Sequence, residues 1–242
     1  MSWSEGEAMG TIQILGISAS PRQGGTEAAV QKALDSAAEF PGVQTEFISL
    51  RGKDIRHCVH CNRCMKVDTY HCPQFEDDME EIYPRIMDAD AYIFGSPVYQ
   101  MNPSAQLFSF FNRLRPLGKL TSKGGWGAKV AGSVVVGGTR NGGQDTALES
   151  LNNLLFSTGM IVVSGGVYAY NGGSAWVTTE SRHVMEDDQI GAMTVKVLGR
   201  RVAVVASLIR EGRKHCDFEG FNIAGFLSEQ EARDRVALFR KG

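Results

Sequence analysis

The apolar positions of this chain follow two alternating patterns. TIQILGI (11–17) is a short β-branched run that predicts a buried strand, and VQTEFISL (43–50) and AYIFGSP (91–97) predict a second and a third. AKVAGSVVVGG (128–138) and MIVVSGG (160–166) add two more. Between them the spacing becomes helical. Ala29, Val30, Ala33, Leu34 and Ala37 share one face of a helix that Thr26 is expected to cap and that runs to about Glu39. DDMEEIYPRIMDAD reads as a helix disturbed by Pro84, and Pro103 suits the start of a helix reaching about Arg113. Further helices are expected over 144–157 and about 188–210, and Ser228-Glu-Gln-Glu231 has the capping-box pattern of a last short helix. Five strands interleaved with helices predict an α/β domain whose parallel sheet is covered on both faces. Without an internal repeat or a long linker, a single domain over 11–210 is expected. A disordered tail (1–10) precedes it, and a C-terminal extension (211–242) follows.

Composition narrows the function. The chain has 242 residues, 43% of them hydrophobic, with 25 Lys plus Arg against 27 Asp plus Glu. That near-balance, with no basic run or basic amphipathic face, argues against a nucleic-acid or membrane-surface partner. No stretch approaches the ~20 apolar residues of a membrane span. The opening MSWSEGEAMG is polar and acidic, so a cytoplasmic start is expected.

In open parallel sheets ligands bind beyond the carboxyl ends of the strands. Three loops here leave such ends. GISASPRQGGT (16–26) offers the hydroxyls of Ser18, Ser20 and Thr26, the Arg22 guanidinium, and Gly24-Gly25 at a helix start, a set suited to a phosphate monoester. It lacks the Walker and dinucleotide fingerprints. GSPVYQMNPSA (95–105) makes a stiff apolar wall against which a flat ring can lie. GGTRNGGQDTALESL (137–151) has four glycines, which let backbone N–H groups approach a ligand's polar edge. Taken singly, these loops also read as a capped turn, a rigid turn and a flexible surface loop. Together they describe a mononucleotide with a large flat head.

Four of the five cysteines fall within HCVHCNRCMKVDTYHCP (57–73). In a reducing compartment such clusters are metal or redox groups more often than disulfides. Cys58-x2-Cys61-x2-Cys64 is the spacing that grips three irons of a cubane cluster, and Cys72, followed by Pro73, is the natural fourth ligand. Zinc is the main alternative, with His57, His60 or His71 as substitute ligands, and a loop of free thiols is another. Cys216 reads as a structural or surface thiol. The acidic run Glu76, Asp77, Asp78, Glu80 and Glu81 reads as a solvated face at a helix N-terminus. Trp126 and Trp176 read as packing residues.

ISASPR…GGT, GSPVY…NPSAQLFSFFNRL, GGTRNGGQDTALESL and GMIVV resemble the flavodoxin-like, FMN-binding reductases. With the cysteine ladder added, the chain resembles the iron–sulfur flavoproteins within the NADPH-dependent FMN reductase superfamily. The resemblance implies a flavodoxin-like three-layer sandwich with a five-stranded parallel sheet and an FMN-dependent oxidoreductase. In its terms Ser18, Ser20, Arg22, Gly25 and Thr26 hold the FMN phosphate. Pro97, Val98, Tyr99 and Met101 flank the isoalloxazine ring, and Gly138, Thr139 and Gly143 meet its pyrimidine edge. Cys58, Cys61, Cys64 and Cys72 bind a [4Fe–4S] cluster. Many relatives carry an Asn where this chain has Gly25. The implied partners are an electron donor, NAD(P)H or ferredoxin, a small acceptor, and further copies of the chain in a homodimer or homotetramer. Two other functions fit the same residues, a cluster-free NAD(P)H-dependent FMN or quinone reductase and a flavin-binding redox sensor.

Overall fold

A computed structural model describes residues 11–67, 69–118, 126–178, 185–186 and 188–215. The expected tail over 1–10, Cys216 and the capping box at 228–231 lie outside the described residues. β1 (Ile12–Ser18), β2 (Val43–Ser49), β3 (Ala91–Pro97), β4 (Val130–Gly137) and β5 (Ile161–Val162) form a parallel sheet in the order β2-β1-β3-β4-β5. A sixth strand, β6 (Gly173–Trp176), also pairs with β4 in parallel.

β1, β3 and β4 read as near-continuous apolar runs because both faces of the sheet are covered there, whereas β2, at the edge, alternates half-buried and exposed positions. Leu15, Ile17, Tyr92, Phe94, Ala131 and Val135 point to one side and pack on α3 (Met79–Asp88), α4 (Ala105–Arg113) and α5 (Gln144–Thr158). Ile12, Ile14, Ile93, Val130 and Val134 point to the other, onto α1 (Gly25–Ala38) and α6 (Gln189–His215). At Gly199 a Cβ would lie 2.1 Å from the Ala33 carbonyl oxygen, so α6 and α1 meet backbone to backbone. The stretch between β2 and α3 carries the cysteines and one short helix, α2 (Arg63–Lys66).

Four details differ from the sequence reading. The fifth strand is split: β5 pairs with residues 130–131 at the start of β4, and β6 pairs with 134–137 at its end. The glycine pair at 165–166 and a bridge from Gly166 to Ala169 turn the chain out of the sheet between them. Thr26 does not cap α1. The cap position is Gly24, which makes no side-chain bond, and Thr26 lies inside the first turn. Asp77 is not solvated, because its side chain is fully buried against Arg113. α6 continues past 210 to His215. Among the described residues no helix is long and apolar enough to cross a membrane.

Candidate functional site

The sheet reverses strand order between β1 and β3, and the loops after β1, β3 and β4 leave that edge side by side. They are tied together. The Ser104 hydroxyl, which caps α4, donates to the Ala19 carbonyl at 2.7 Å, and the Val98 amide donates to Val136 at 2.9 Å. A Cβ on Gly95 would lie 3.3 Å from the Thr26 methyl, and one on Gly143 would lie 2.8 Å from Met101 Cγ.

In the first loop Ser18 is fully buried, and its hydroxyl faces the Ser20 amide at 3.5 Å. The Ser20 hydroxyl donates to the Arg22 carbonyl at 2.7 Å, which curls the loop over the start of α1. Gly24 adopts φ 152°, and a Cβ there would meet nothing within 4 Å. No side chain caps the first amides of α1, and at the next residue a Cβ on Gly25 would lie 2.5 Å from a Val177 methyl.

The second loop is tighter than the sequence suggests. Tyr99 and Asn102 exchange backbone hydrogen bonds of 2.8 and 2.9 Å, so Gln100 and Met101 form a two-residue hairpin turn. Both are left-handed, with φ of 50° and 65°. The turn holds Tyr99 and Met101 outward, both exposed, while Pro97 is buried and Val98 half-buried beneath them. In the third loop Gly138 and Thr139 are exposed. Gln144, which sequence reasoning passed over, braces it by donating to the Thr139 carbonyl at 2.6 Å and accepting from the Gly142 amide at 2.7 Å. Gly143, at φ 88°, begins α5.

The cysteines form a separate site at the other end of α4. His60 and Asn62 are left-handed, at φ 55° and 60°, and wind the Cys-x2-Cys-x2-Cys segment into a coil. The Cys58 sulfur accepts from the His60 amide at 3.4 Å. Cys58, Cys61, Cys64 and Cys72 all line one pocket, closed from below by Phe75, Arg113 and Arg115. Among the described residues no three Cys, His, Asp or Glu side chains converge tightly enough for a single ion; the thiols ring the pocket instead. Burial pushes the Cys64 thiol up, and the three neighbouring sulfurs add to this, while Arg115 pulls it down.

The floor of this pocket is built by residues the sequence reading did not single out. Arg113, 1% exposed, donates from Nη2 to Asp77 Oδ1 at 3.0 Å, from Nη1 to Asp77 Oδ2, and from Nη1 to the Arg56 carbonyl at 2.9 Å. Its guanidinium also lies 5.0 Å above the Phe75 ring. Arg115 donates to Asn62 Oδ1 at 2.5 Å, which fixes the left-handed residue between two of the cysteines. The Nε atoms of both arginines are buried without a hydrogen-bond partner among the described residues. Trp126 packs in the core with its Nε1 donating to the Leu117 carbonyl.

The sequence pattern of the NADPH-dependent FMN reductases matches residues 12–175. This chain belongs to that family. Within it, an iron–sulfur flavoprotein of Methanocaldococcus jannaschii is 39% identical over 204 residues, covering 83% of this chain and all of the relative. A second from the same organism is 34% identical over 203 residues, 84% of this chain and 99% of the relative. The chain is thus a member of the iron–sulfur flavoproteins, and it is a flavin-dependent oxidoreductase with FMN as its flavin. The fold matches the WrbA-like flavodoxin of Agrobacterium tumefaciens with a TM-score of 0.56 at 20% identity, over 85% of this chain and all of that one.

Proposed function

We propose that this oxidoreductase passes electrons between an external donor, a [4Fe–4S] cluster and FMN. FMN, when bound, exchanges electrons singly or in pairs, and a cluster exchanges them singly. Ser18, Ser20, Arg22 and Thr26, with the amides from Gly25 onward, would seat the phosphate. Pro97, Val98, Tyr99 and Met101 would flank the ring, and Gly138, Thr139 and Gly143 would meet its polar edge. Cys58, Cys61, Cys64 and Cys72 would hold the cluster. The single observation that carries this reading is the pocket: four thiols share it with two buried guanidinium Nε–H groups that lack an acceptor among the described residues. A group bearing negative charge and sulfur acceptors satisfies both sets of atoms, and a cluster held by four thiolates is such a group.

A cluster-free NAD(P)H-dependent reductase is the second reading, favoured by the exposure of Tyr99 and Met101, which leaves the ring wall open to a small substrate. Substitution separates the two. After anaerobic reconstitution, Cys58→Ser, Cys61→Ser, Cys64→Ser and Cys72→Ser should each lower iron and sulfide content, while Cys216→Ser leaves both unchanged. FMN should stay bound in all five, because its loops leave different strand ends. A wild-type protein that takes up zinc stoichiometrically but no iron or sulfide would end the cluster reading and leave the flavin reading standing. Steady NAD(P)H oxidation with a quinone, unaltered by the four substitutions, would favour the second reading. A full cubane in Cys72→Ser alone would replace the fourth ligand.

A further inference from the structure

Arg113 and Arg115 stand two residues apart at the end of α4, and both line the thiol pocket. Their settings differ. The charge of Arg113 is matched by Asp77, which binds both of its terminal nitrogens. Arg115 makes a hydrogen bond to the neutral Asn62 side chain. They share one feature: in each, Nε–H is buried and finds no acceptor among the described residues. Folded proteins rarely leave buried donors in that state. Two of them in the walls of one pocket point to an acceptor that the described residues do not provide.

We propose that the Nε–H groups of Arg113 and Arg115 donate to the sulfur atoms of the cluster held in this pocket, and that the pair thereby sets its reduction potential and its retention. The inference rests on the cluster reading above. Net charge and hydrogen bonds to sulfur are among the factors that fix such potentials. One electron entering from the donor makes the bound group one unit more negative, with no atom transferred. Fixed N–H dipoles and a positive charge stabilise that state more than the oxidised one. Arg113 offers direction with its charge already compensated. Arg115 offers direction and a guanidinium charge. Lysine in its place keeps the charge but loses the planar donor.

The test compares wild type, Arg115→Lys and Arg115→Gln, each reconstituted anaerobically with ferrous iron and sulfide. Three quantities are read: iron and sulfide per chain, the midpoint potential from a dithionite titration followed by electron paramagnetic resonance, and the rate of iron loss to a chelator. Arg115→Gln should lower the reduced-to-oxidised ratio roughly tenfold at fixed potential, a midpoint about 59 mV more negative. It should also release iron several-fold faster, with Arg115→Lys between it and wild type. Where the Gln variant does not load, the potential of the Lys variant decides. Potentials and release rates equal to wild type in every variant that loads would overturn the inference and leave the cluster in place. A wild type that binds no iron or sulfide would overturn the cluster reading and this inference with it. Far-UV circular dichroism confirms that each variant is folded.

Discussion

Burial alone would push the Asp77 carboxyl up, but its hydrogen bonds from Arg113, with help from the Arg56 and Met79 amides, hold it below the usual carboxylate range. A carboxyl whose folded value is depressed contributes stability above its unfolded value, about 3.9, and loses it as the pH falls through the folded value. The stability of the wild-type protein should therefore fall on acidification from about pH 5 downward, as measured by urea denaturation. Asp77→Asn should flatten that fall. It should also cost on the order of 3–5 kcal/mol at neutral pH, because Arg113 is left charged and unpaired in the interior. A wild-type slope in the Asn variant would refute this. Arg22 is the contrasting case, exposed at the rim of the first loop. If it meets the FMN phosphate, Arg22→Ala should weaken FMN by ~1.5–3 kcal/mol, the worth of a charge-assisted hydrogen bond, and leave riboflavin binding unchanged. Calorimetric titration with the two flavins checks it, and equal losses would take Arg22 out of the phosphate site.

Among the elements, the hairpin turn after β3 combines a structural cost with a placement. Two successive left-handed residues favour Asn-Gly, yet Gln100 and Met101 occupy the turn, with Met101 packed against Gly143 of the next loop. Non-glycine residues in that conformation cost on the order of 1 kcal/mol or more. Replacing the pair by Asn-Gly should raise thermal stability and weaken FMN; unchanged FMN affinity beside the gain in stability would show that the turn plays no part in flavin binding. The turn also marks what a sequence can and cannot reveal. Strands β1, β3 and β4 were legible because burial on both faces leaves unbroken apolar runs. The edge strand β2 was legible because its half-buried and exposed positions alternate. The gathering of four cysteines on one pocket was legible because they are close in sequence. The end of the fifth strand was misread because the pairing of β6 with β4 is set by tertiary contact, not by the short GSAW segment itself. Arg113 sits three residues after Phe110, on the buried stripe of α4, and a charge on an apolar face was its one available signal. Its partner Asp77 lies 36 residues away, hidden in an acidic run that reads as solvated.

For the molecule as a whole, the loop that carries the cysteines also presents Val59, Met65 and Val67 to the surface, each about half exposed. Apolar side chains gathered around the four thiols suit contact with another protein surface. A homodimer or a dimer of dimers is expected, with residues 58–72 near an interface. Light scattering at micromolar concentration tests this, and an active, strictly monomeric particle would refute it. Within one chain, the separation of the two sites is governed by α4. Its cap, Ser104, is fastened to Ala19 in the first loop, and its last residue, Arg113, forms part of the thiol pocket. Nine helical residues at 1.5 Å each make a rigid spacer of about 14 Å. On the proposed reading, the helix would be a gauge block between two electrodes. Lengthening it by one turn would widen the gap by about 5 Å without touching the chemistry at either end. If the thiols hold a cluster and the three loops hold FMN, electron exchange inside one chain should then slow steeply.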